Sequence, residues 1–265
     1  IQYVKKPLGH GYKELTIPPM KSGKFQIEPN ALHIWPRGNH MLIALPNNDC
    51  SFTCTLFFPM IGKTSFETVK TEKDIFDLFQ SQFPDAIKLI PNLVEDFQKN
   101  PTGDLASVYC KPWHLGDKAL LIGDAAHAVA PFFGQGMNAS FQDCSTLAKL
   151  MGQNENDWNT IFNAFSSTQV ENGHAIADMA LENYLEMRDH VNDPEYKKRR
   201  NMELKLERMF PGQFIPRYSM VSFHQIPYAE VYQRGEKQFK IISDVLKADP
   251  SGQSIDKAMV EKMLP

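Results

Sequence analysis

The first 60 residues carry short apolar runs, each separated from the next by turn-forming residues such as Pro, Gly, Asn and Asp. Residues 12–17 alternate between polar and apolar side chains until Pro18 and Pro19 end the run. Alternation with a period of two is typical of a half-buried strand, and proline is excluded from the middle of a sheet. Similar runs follow at 25–27, 31–35, 41–45 and 51–58. Together these runs predict an antiparallel meander.

Two of these runs also predict which side chains share a face of the sheet. Apolar residues recur with a period of two in two sets, Met41, Ile43 and Leu45 and then Phe52, Cys54 and Leu56. Because side chains alternate between the faces of a strand, each set lies on one face, and we expect the two sets to share it. Most of that face would form the core, and part of it would form the apolar wall of a pocket.

Helical spacing of apolar residues first appears over 71–83, where Thr71 is the expected N-cap and Pro84 ends the helix. A loop at 97–101 and a strand at 103–111 are expected next. The second half of the chain is predicted to be mainly helical, at 158–165, 176–187, 195–209 and 228–246. The aromatic, proline-containing stretch 214–223 reads as a connection, and the polar end 249–265 is expected to fray.

The most informative stretch lies between these halves, at 119–151. It opens with the apolar run 119–122, which predicts a fully buried strand beside the strand at 103–111. The run ends at Gly123 and Asp124, and a Pro/Gly-rich loop then leads to a helix beginning near Met137. The carboxyl edge of such strands is where α/β proteins bind ligands.

Each part of this stretch has chemistry suited to a ligand. Glycines let the main chain approach a bound group closely, and a helix amino terminus offers unpaired N–H groups and partial positive charge. The carboxylate of Asp124 could accept hydrogen bonds from hydroxyl groups of a sugar-like chain. The alternative is an ordinary strand–loop–helix connection in which Asp124 acts only as a cap. Residue spacing leaves both interpretations open.

Composition narrows the classes of protein. The chain has 265 residues, 42% of them hydrophobic, and a formal net charge of −3, so it favours neither nucleic acid nor an anionic membrane as partner. No apolar run approaches the roughly 20 residues of a membrane span. The four cysteines are scattered and form no C-x-x-C pair, which predicts reduced thiols, a cytoplasmic location and no metal site.

The sequence LIGDAAHAVAPFFGQGMNAS at 121–140 resembles the second flavin-contacting motif of the FAD-dependent aromatic hydroxylases. The resemblance implies FAD as cofactor, with Asp124 on the ribityl chain and the loop 131–136 beside the isoalloxazine ring. The helix start would point at the pyrimidine edge of the flavin. The implied cofactor-binding residues are Gly123, Asp124, Pro131, Gly134, Gly136, Met137 and Asn138.

Six further segments, together with PFFGQGMN at 131–138 of the same motif, resemble one group within that class, the kynurenine 3-monooxygenase family. They include EPNALHIWPRG at 28–38, MLIALPN at 41–47, LENYLEM at 181–187 and FIPRYSMVSF at 214–223. The resemblance implies L-kynurenine as substrate, with Asn183 and Tyr218 near its amino-acid end. The implied substrate-binding residues are Met41, Ile43, Leu45, Phe57, Pro131, Phe132, Phe133, Asn183, Met187 and Tyr218.

The resemblance also implies an α/β (α+β) fold with an antiparallel substrate-binding sheet, part of a Rossmann-like FAD-binding domain and a carboxyl-terminal helical region. The expected domains are 1–104 for the sheet, 105–170 for the carboxyl-terminal part of the FAD domain and 171–265 for the helical cap. The implied reaction uses NADPH and O2, and a flavin hydroperoxide hydroxylates kynurenine to 3-hydroxykynurenine. No catalytic side chain is assigned, and a homodimer is left open.

The sequence departs from the family pattern in ways that limit this prediction. The G-x-G-x-x-G segment, the D-G motif and the amino-terminal Arg and Tyr expected for substrate binding have no counterpart in the chain, and the membrane helix of eukaryotic members is absent. We therefore expect a bacterial-type member that lacks its dinucleotide-binding portion and is inactive alone. The alternatives are a different flavin-dependent aromatic hydroxylase or a non-catalytic ligand-binding fragment.

Overall fold

The computed structural model describes residues 1–155, 157–190 and 193–264, without the side chains of 189 and 190. The chain divides into two compact units. The sheet unit comprises Pro7–Leu105 together with Met187–Asp189. The helical unit comprises Ile1–Lys6, Ala106–Glu186 and His190–Pro265.

A five-stranded sheet forms most of the sheet unit, with strand order β2-β3-β4-β1-β5. The strands are β1 (Gln2–Ile17), β2 (His33–Pro36), β3 (Met41–Pro46), β4 (Phe52–Pro59) and β5 (Gly103–Lys111). The residues of β1 before Pro7 and the residues of β5 after Leu105 belong to the helical unit. The pairs β2–β3, β3–β4 and β1–β4 are antiparallel, which confirms the predicted meander. The predicted strand at 25–27 is wrong, because residues 26 and 27 form a bend and residue 25 belongs to no regular element.

The register of β3 and β4 corrects the predicted shared face. Leu42 lies opposite Leu56 and Ala44 opposite Cys54, whereas Met41 lies opposite Phe57. The Phe52/Cys54/Leu56 set therefore shares its face with Leu42 and Ala44, and the Met41/Ile43/Leu45 set occupies the other face. A shift of one residue in register exchanges the faces, and the alternation within each strand does not fix that shift.

The first of these faces packs into the core of the sheet unit. Helix α1 (Glu72–Gln82) contributes Ile75 and Phe79 to a cluster of fully buried apolar residues with Phe52 and Phe58. Thr71 caps α1 as predicted, since its Oγ1 accepts from the Asp74 N–H at 3.2 Å and its own N–H donates to Asp74 Oδ2 at 2.9 Å. Part of the predicted loop 97–101 is instead helical, in α2 (Leu93–Lys99), because Leu93 and Phe97 are buried against the same core.

The helical unit contains one short hairpin and seven α-helices among the residues that the structure describes. The elements are β6 (His114–Leu115), β7 (Ala119–Leu120), α3 (Asp124–His127), α4 (Gly136–Gln153), α5 (Trp158–Leu185), α6 (Pro194–Met209), α7 (Arg217–Phe223), α8 (Tyr228–Ala248) and α9 (Lys257–Met263). A π-helical turn, Glu186–His190, follows α5. Helix α5 joins the two stretches predicted at 158–165 and 176–187, and it runs through the expected domain boundary at 170/171 without a break.

Three expectations for this unit are corrected. The run 119–122 is not a buried strand: β7 is two residues long, pairs only with β6 in the described chain, and leaves Ala119 exposed, while β5 lies beside β1. The stretch 214–223 holds α7, because its proline precedes the helix at the N-cap, where the missing N–H costs nothing. The end 249–265 contains α9, which is anchored by the fully buried Val260.

Trp113 anchors the centre of the helical unit. Its main-chain N–H donates to Ser166 Oγ at 2.9 Å, and its indole donates to the Cys110 carbonyl at 2.8 Å. Helix α5 approaches the ring at Gly173, where an added Cβ would come within 2.7 Å of Trp113.

Among the described residues no helix combines the length and apolar character needed to cross a membrane. No cluster of three or more His, Cys, Asp or Glu side chains in that part of the chain could hold a metal ion.

Candidate flavin and substrate site

The Gly123–Asp124 turn leads directly into α3 and has a backbone that requires glycine. Gly123 has a φ of 61°, a left-handed value that L side chains rarely adopt. A Cβ at this position would also lie 3.1 Å from Ser140 Oγ on α4. Asp124 is exposed, and its carboxylate accepts no hydrogen bond within the described part of the chain. The turn therefore presents a free carboxylate on a fixed backbone.

A buried carboxylate on α4 fixes that backbone. Asp143 is 2% exposed, and its Oδ2 accepts from the Gly123 N–H at 2.9 Å and from His127 Nε2 at 2.7 Å. Its Oδ1 accepts from Gln169 Nε2 at 3.0 Å. Three donors from three segments converge on one side chain, so Asp143 ties the turn to α3 and α5.

This hydrogen-bond network continues towards α8. Asn172 Nδ2 donates to Gln169 Oε1 at 2.9 Å, and Asn172 Oδ1 accepts from the main-chain N–H of Ala229 at 3.0 Å. That contact satisfies one of the first N–H groups of α8, whose N-cap Pro227 supplies no side-chain hydrogen bond. The network thus connects the Gly123 turn with three helices through groups that are shielded from water.

A second group of hydrogen bonds holds the loop between α3 and α4. The hydroxyl of Tyr228 donates to Gln135 Oε1 at 2.9 Å, and Asn138 Nδ2 donates to the same oxygen at 3.2 Å. Gln135 is buried, and burial together with the charge of Asp143 raises the pKa of Tyr228. The loop is therefore anchored from α8 by a neutral hydroxyl donor.

The loop itself leads into an uncapped helix. Pro131–Phe133 form a 3-10 turn that ends at Gly134, whose φ is 64°. Helix α4 then begins at Gly136 with no side-chain cap, so its first N–H groups have no partner inside the helix. Met137 is 68% exposed and Asn138 is also exposed. The loop and helix start offer glycine backbone, free donors and positive helix dipole on one accessible surface.

These features fit a flavin. An exposed carboxylate suits ribityl hydroxyl groups, and N–H donors at a helix start suit the electron-rich pyrimidine edge. The predicted cofactor residues all lie in the helical unit, within the continuous segment 123–138. In the described chain no N–H group donates a hydrogen bond to the Asp124 carboxylate. The geometry therefore gives no support to the alternative in which Asp124 is only a cap.

The predicted substrate residues of the helical unit form one aromatic assembly. Phe132 stacks on Tyr184 with ring centres 4.2 Å apart, and Phe133 stacks on Tyr218 at 5.5 Å. Asn183 Nδ2 donates to the Phe132 carbonyl at 2.7 Å. Asn183 and Tyr218 were predicted near the substrate, and each also supports the loop that carries Phe132 and Phe133.

The remaining predicted residues lie in the sheet unit. Met41, Ile43 and Leu45 share one face with Phe57 through the register of β3 and β4. Met41 is fully buried and Phe57 is 3% exposed, whereas Leu45 is 48% exposed. Met187 is also grouped with the sheet unit, and it lies in the π-helical turn beyond α5. The helix predicted at 176–187 therefore ends as a regular α-helix at Leu185.

Sequence reasoning missed the buried polar side chains that hold the site. Asp143, Gln135 and Gln169 are not among the predicted site residues. One signal was available: Gln169 and Asn172 fall between the buried Phe165 and Ile176 of α5, at spacings that place them on a packed face. Polar residues on such a face need partners, and the sequence did not say which.

Comparison with known proteins agrees with this geometry. Residues 37–161 match the model of a family described as FAD binding domain. The chain is 50% identical over 252 residues to a kynurenine 3-monooxygenase of Myxococcus xanthus, covering 95% of this chain and 54% of that protein. It is 45% identical over 267 residues to the enzyme of the same name from Xanthomonas oryzae, covering 98% of this chain and 58% of that protein. The chain spans a little over half the length of these relatives.

Solved structures share the fold. The crystal structure of Klebsiella pneumoniae HpxO complexed with FAD and uric acid aligns with a TM-score of 0.60 at 17% identity, over 79% of this chain and 52% of that one. The 2,6-dihydroxypyridine-3-hydroxylase of Arthrobacter nicotinovorans aligns at 0.54 and 15% identity, over 72% and 56%. They confirm the predicted α/β fold with an antiparallel sheet and helices. Over the half of their length that it spans, the chain is similar to kynurenine 3-monooxygenases, and residues 37–161 match an FAD binding domain.

Proposed function

We propose that this chain forms the substrate-binding and flavin-facing part of an NADPH- and FAD-dependent monooxygenase that converts L-kynurenine to 3-hydroxykynurenine. The observation that carries the proposal is the combination of a flavin-suited Gly123–Asp124 turn with 45–50% identity to kynurenine 3-monooxygenases along nearly the whole chain. Identity of that level across both units supports a shared substrate, since both units carry predicted substrate residues.

FAD would be held by the cofactor set of the helical unit. Asp124 would accept a hydrogen bond from a ribityl hydroxyl, and the first N–H groups of α4 would face the pyrimidine edge. Gly134 and Gly136 would let the backbone pass close to the ring system. Reduced by NADPH, the bound flavin would activate O2 for transfer to the aromatic ring.

The chain's own residues would then orient the substrate and exclude water. The kynurenine ring already carries an amino group and is electron-rich, so positioning is the main requirement. In the sheet unit, the apolar face with Met41 and Phe57 is the part proposed to contact the aromatic ring. Tyr218 and Asn183 would lie at the amino-acid end, with Asn183 also fixing Phe132 through its carbonyl.

The test is a substrate panel on the protein at its full natural length, loaded with FAD. L-kynurenine should stimulate NADPH oxidation and yield 3-hydroxykynurenine, while 4-hydroxybenzoate and anthranilate should not. Hydroxylation of another aromatic acid in preference to kynurenine would assign a different hydroxylase of the same class. Flavin binding with no aromatic hydroxylation at all would support a ligand-binding role instead.

The flavin contact has a separate test that needs no turnover. Asp124→Ala removes one charge-assisted hydrogen bond and should weaken FAD binding by about 1.5–3 kcal/mol. The measurement is a titration of flavin fluorescence. Asp117→Ala is the matched control, because Asp117 is an exposed carboxylate paired with the neighbouring Lys118. Equal FAD affinity in the wild type and the Asp124 variant would exclude Asp124 from the cofactor site.

A further inference from the structure

Arg217 is the first residue of α7, and its guanidinium joins three helices. Nη1 donates to Glu182 on α5, and Nη2 donates to Glu236 on α8 at 2.7 Å. The guanidinium carbon also lies 5.5 Å from the ring centre of Tyr232, whose hydroxyl donates to Glu182 at 3.3 Å. The planar fork of arginine can serve two carboxylates at once, which a lysine ammonium does less well.

Helix α8 is shaped around this side chain. Gly235 lies in the interior of α8, where glycine costs helix stability relative to alanine. A Cβ at Gly235 would come within 2.2 Å of Arg217 Nε, so only glycine leaves room for the guanidinium in its present position. Helix α8 thus carries a destabilising glycine at its contact with Arg217, which indicates that the helix accommodates the arginine side chain at this point.

The residues of this clamp are sequence neighbours of the predicted substrate residues. Glu182 precedes Asn183, which donates to the Phe132 carbonyl. Arg217 precedes Tyr218, which stacks on Phe133. The Arg217–Glu182 pair therefore fixes the spacing between α7 and α5. Each of these helices contributes one residue that contacts the loop 131–133.

We propose that Arg217, clamped by Glu182 and Glu236 in the space left by Gly235, is a positioning residue that holds Tyr218 and Asn183 against Phe133 and Phe132. The inference rests on the proposed function for its consequence in catalysis, namely that the clamp keeps the substrate end of the site closed to water. Arg217 acts through these neighbours and is not assigned a contact with substrate or flavin.

The exposure of the partners argues for a local effect. The side chains of Glu182 and Glu236 are 44% and 56% exposed, and ion pairs of that exposure add little to global stability. We expect the clamp to fix the amino-terminal end of α7, a helix of seven residues whose other anchors are the buried side chains of Met220 and Val221. Losing the clamp should loosen α7 and the loop 131–133 while the rest of the helical unit stays folded.

The first experiment measures amide hydrogen exchange in the protein at its full natural length. Arg217→Met and Gly235→Ala should each accelerate exchange in the segments 131–135 and 217–223 about fivefold or more, with no change in α6. Arg217→Lys, which keeps the charge but loses the fork, should lie between the wild type and Arg217→Met. Gly152→Ala is the control for the glycine, because an added Cβ there meets nothing within 4 Å. Lys247→Met is the control for the lost cation, since Lys247 lies 3.9 Å from its partner and its side chain is 79% exposed.

The second experiment measures substrate KM and the peroxide released per NADPH consumed, in the flavin-loaded protein at full natural length. Both clamp variants should raise KM and at least about double the peroxide ratio, because a misplaced ring receives oxygen less efficiently. Unchanged exchange in both segments, or faster exchange spread evenly over the whole protein, would overturn the proposal. Unchanged KM and peroxide ratio in an active protein would overturn it as well. A wild type that shows no kynurenine-dependent NADPH oxidation refutes the proposed function, and the exchange data then decide the clamp on their own.

Discussion

The two units hold their predicted site residues by different means. In the sheet unit, the sheet face that does not carry Met41 packs into a continuous apolar cluster around Phe52, Phe58 and Phe79. In the helical unit, the Gly123 turn is held by buried hydrogen bonds that converge on Asp143 and extend to Gln169 and Asn172. Apolar contacts are non-directional, whereas hydrogen bonds fix both distance and angle.

The difference matches what the proposed function requires of each region. A wall of a binding site needs volume and dryness, and several apolar residues of similar size can supply both. A turn that presents one carboxylate to a cofactor needs a defined backbone orientation. A buried polar network gives that orientation, but each of its members becomes costly to remove. The comparison predicts that substitutions in the two regions will differ in cost even when the side chains are of similar size.

The largest effect is expected at the centre of the polar network. Asp143→Ala removes the acceptor of three buried donors, from Gly123, His127 and Gln169, and should lower the free energy of unfolding by about 3–5 kcal/mol. Urea denaturation followed by far-UV circular dichroism measures this change. Asp117→Ala should cost at most about 1 kcal/mol, because the exposed Asp117–Lys118 pair is screened by water. Similar losses in both variants would mean that the network does not stabilise the fold.

The second effect tests a titratable group in the apolar region. His40 is 4% exposed, and burial, followed by the charges of Arg37 and His10, lowers its pKa from 6.5 to about 4. The folded state therefore binds this proton less readily than the unfolded state. Stability should fall as the pH drops below 6.5 and level off near 4, by about 3 kcal/mol in total.

The comparison variant for this effect is His40→Phe, which keeps an aromatic ring against Phe58 and Phe83. The wild type should lose more stability than the variant between pH 6.5 and 4, since other titrating groups are common to both. The measurement is the free energy of unfolding in urea at several pH values. Parallel pH profiles would show that His40 is protonated in the folded state without penalty.

The smallest effect is expected from a conservative change within the apolar region. Leu56 is fully buried opposite Leu42, and Leu56→Met conserves its volume and character. The expected loss is below about 1.5 kcal/mol, because such cores repack around similar side chains. A loss equal to that of Asp143→Ala, measured by the same urea titration, would remove the distinction between the two regions.

Local signals in the sequence were read correctly where short-range physics decides. The N-cap of α1 at Thr71 and the meander of β2, β3 and β4 follow from neighbouring residues, and both are confirmed. The sequence motif around Gly123 and Asp124 predicted FAD as the cofactor, and the match to an FAD binding domain confirms this prediction. The run 119–122 misled because its apolar residues indicate burial, whereas a strand also needs partner strands, and β7 has only β6 in the described chain.

The sequence by itself indicated the resemblance to a family, the cofactor and the position of most elements, because these depend on residue identity and on spacings of a few residues. Only the tertiary structure decided which face of β4 enters the core, since the alternation within a strand is the same for either register. It also decided the partners of Asp143 and Arg217. Their donors and acceptors lie as many as 35 residues away along the chain, and no local pattern specifies which distant polar group a buried side chain will meet.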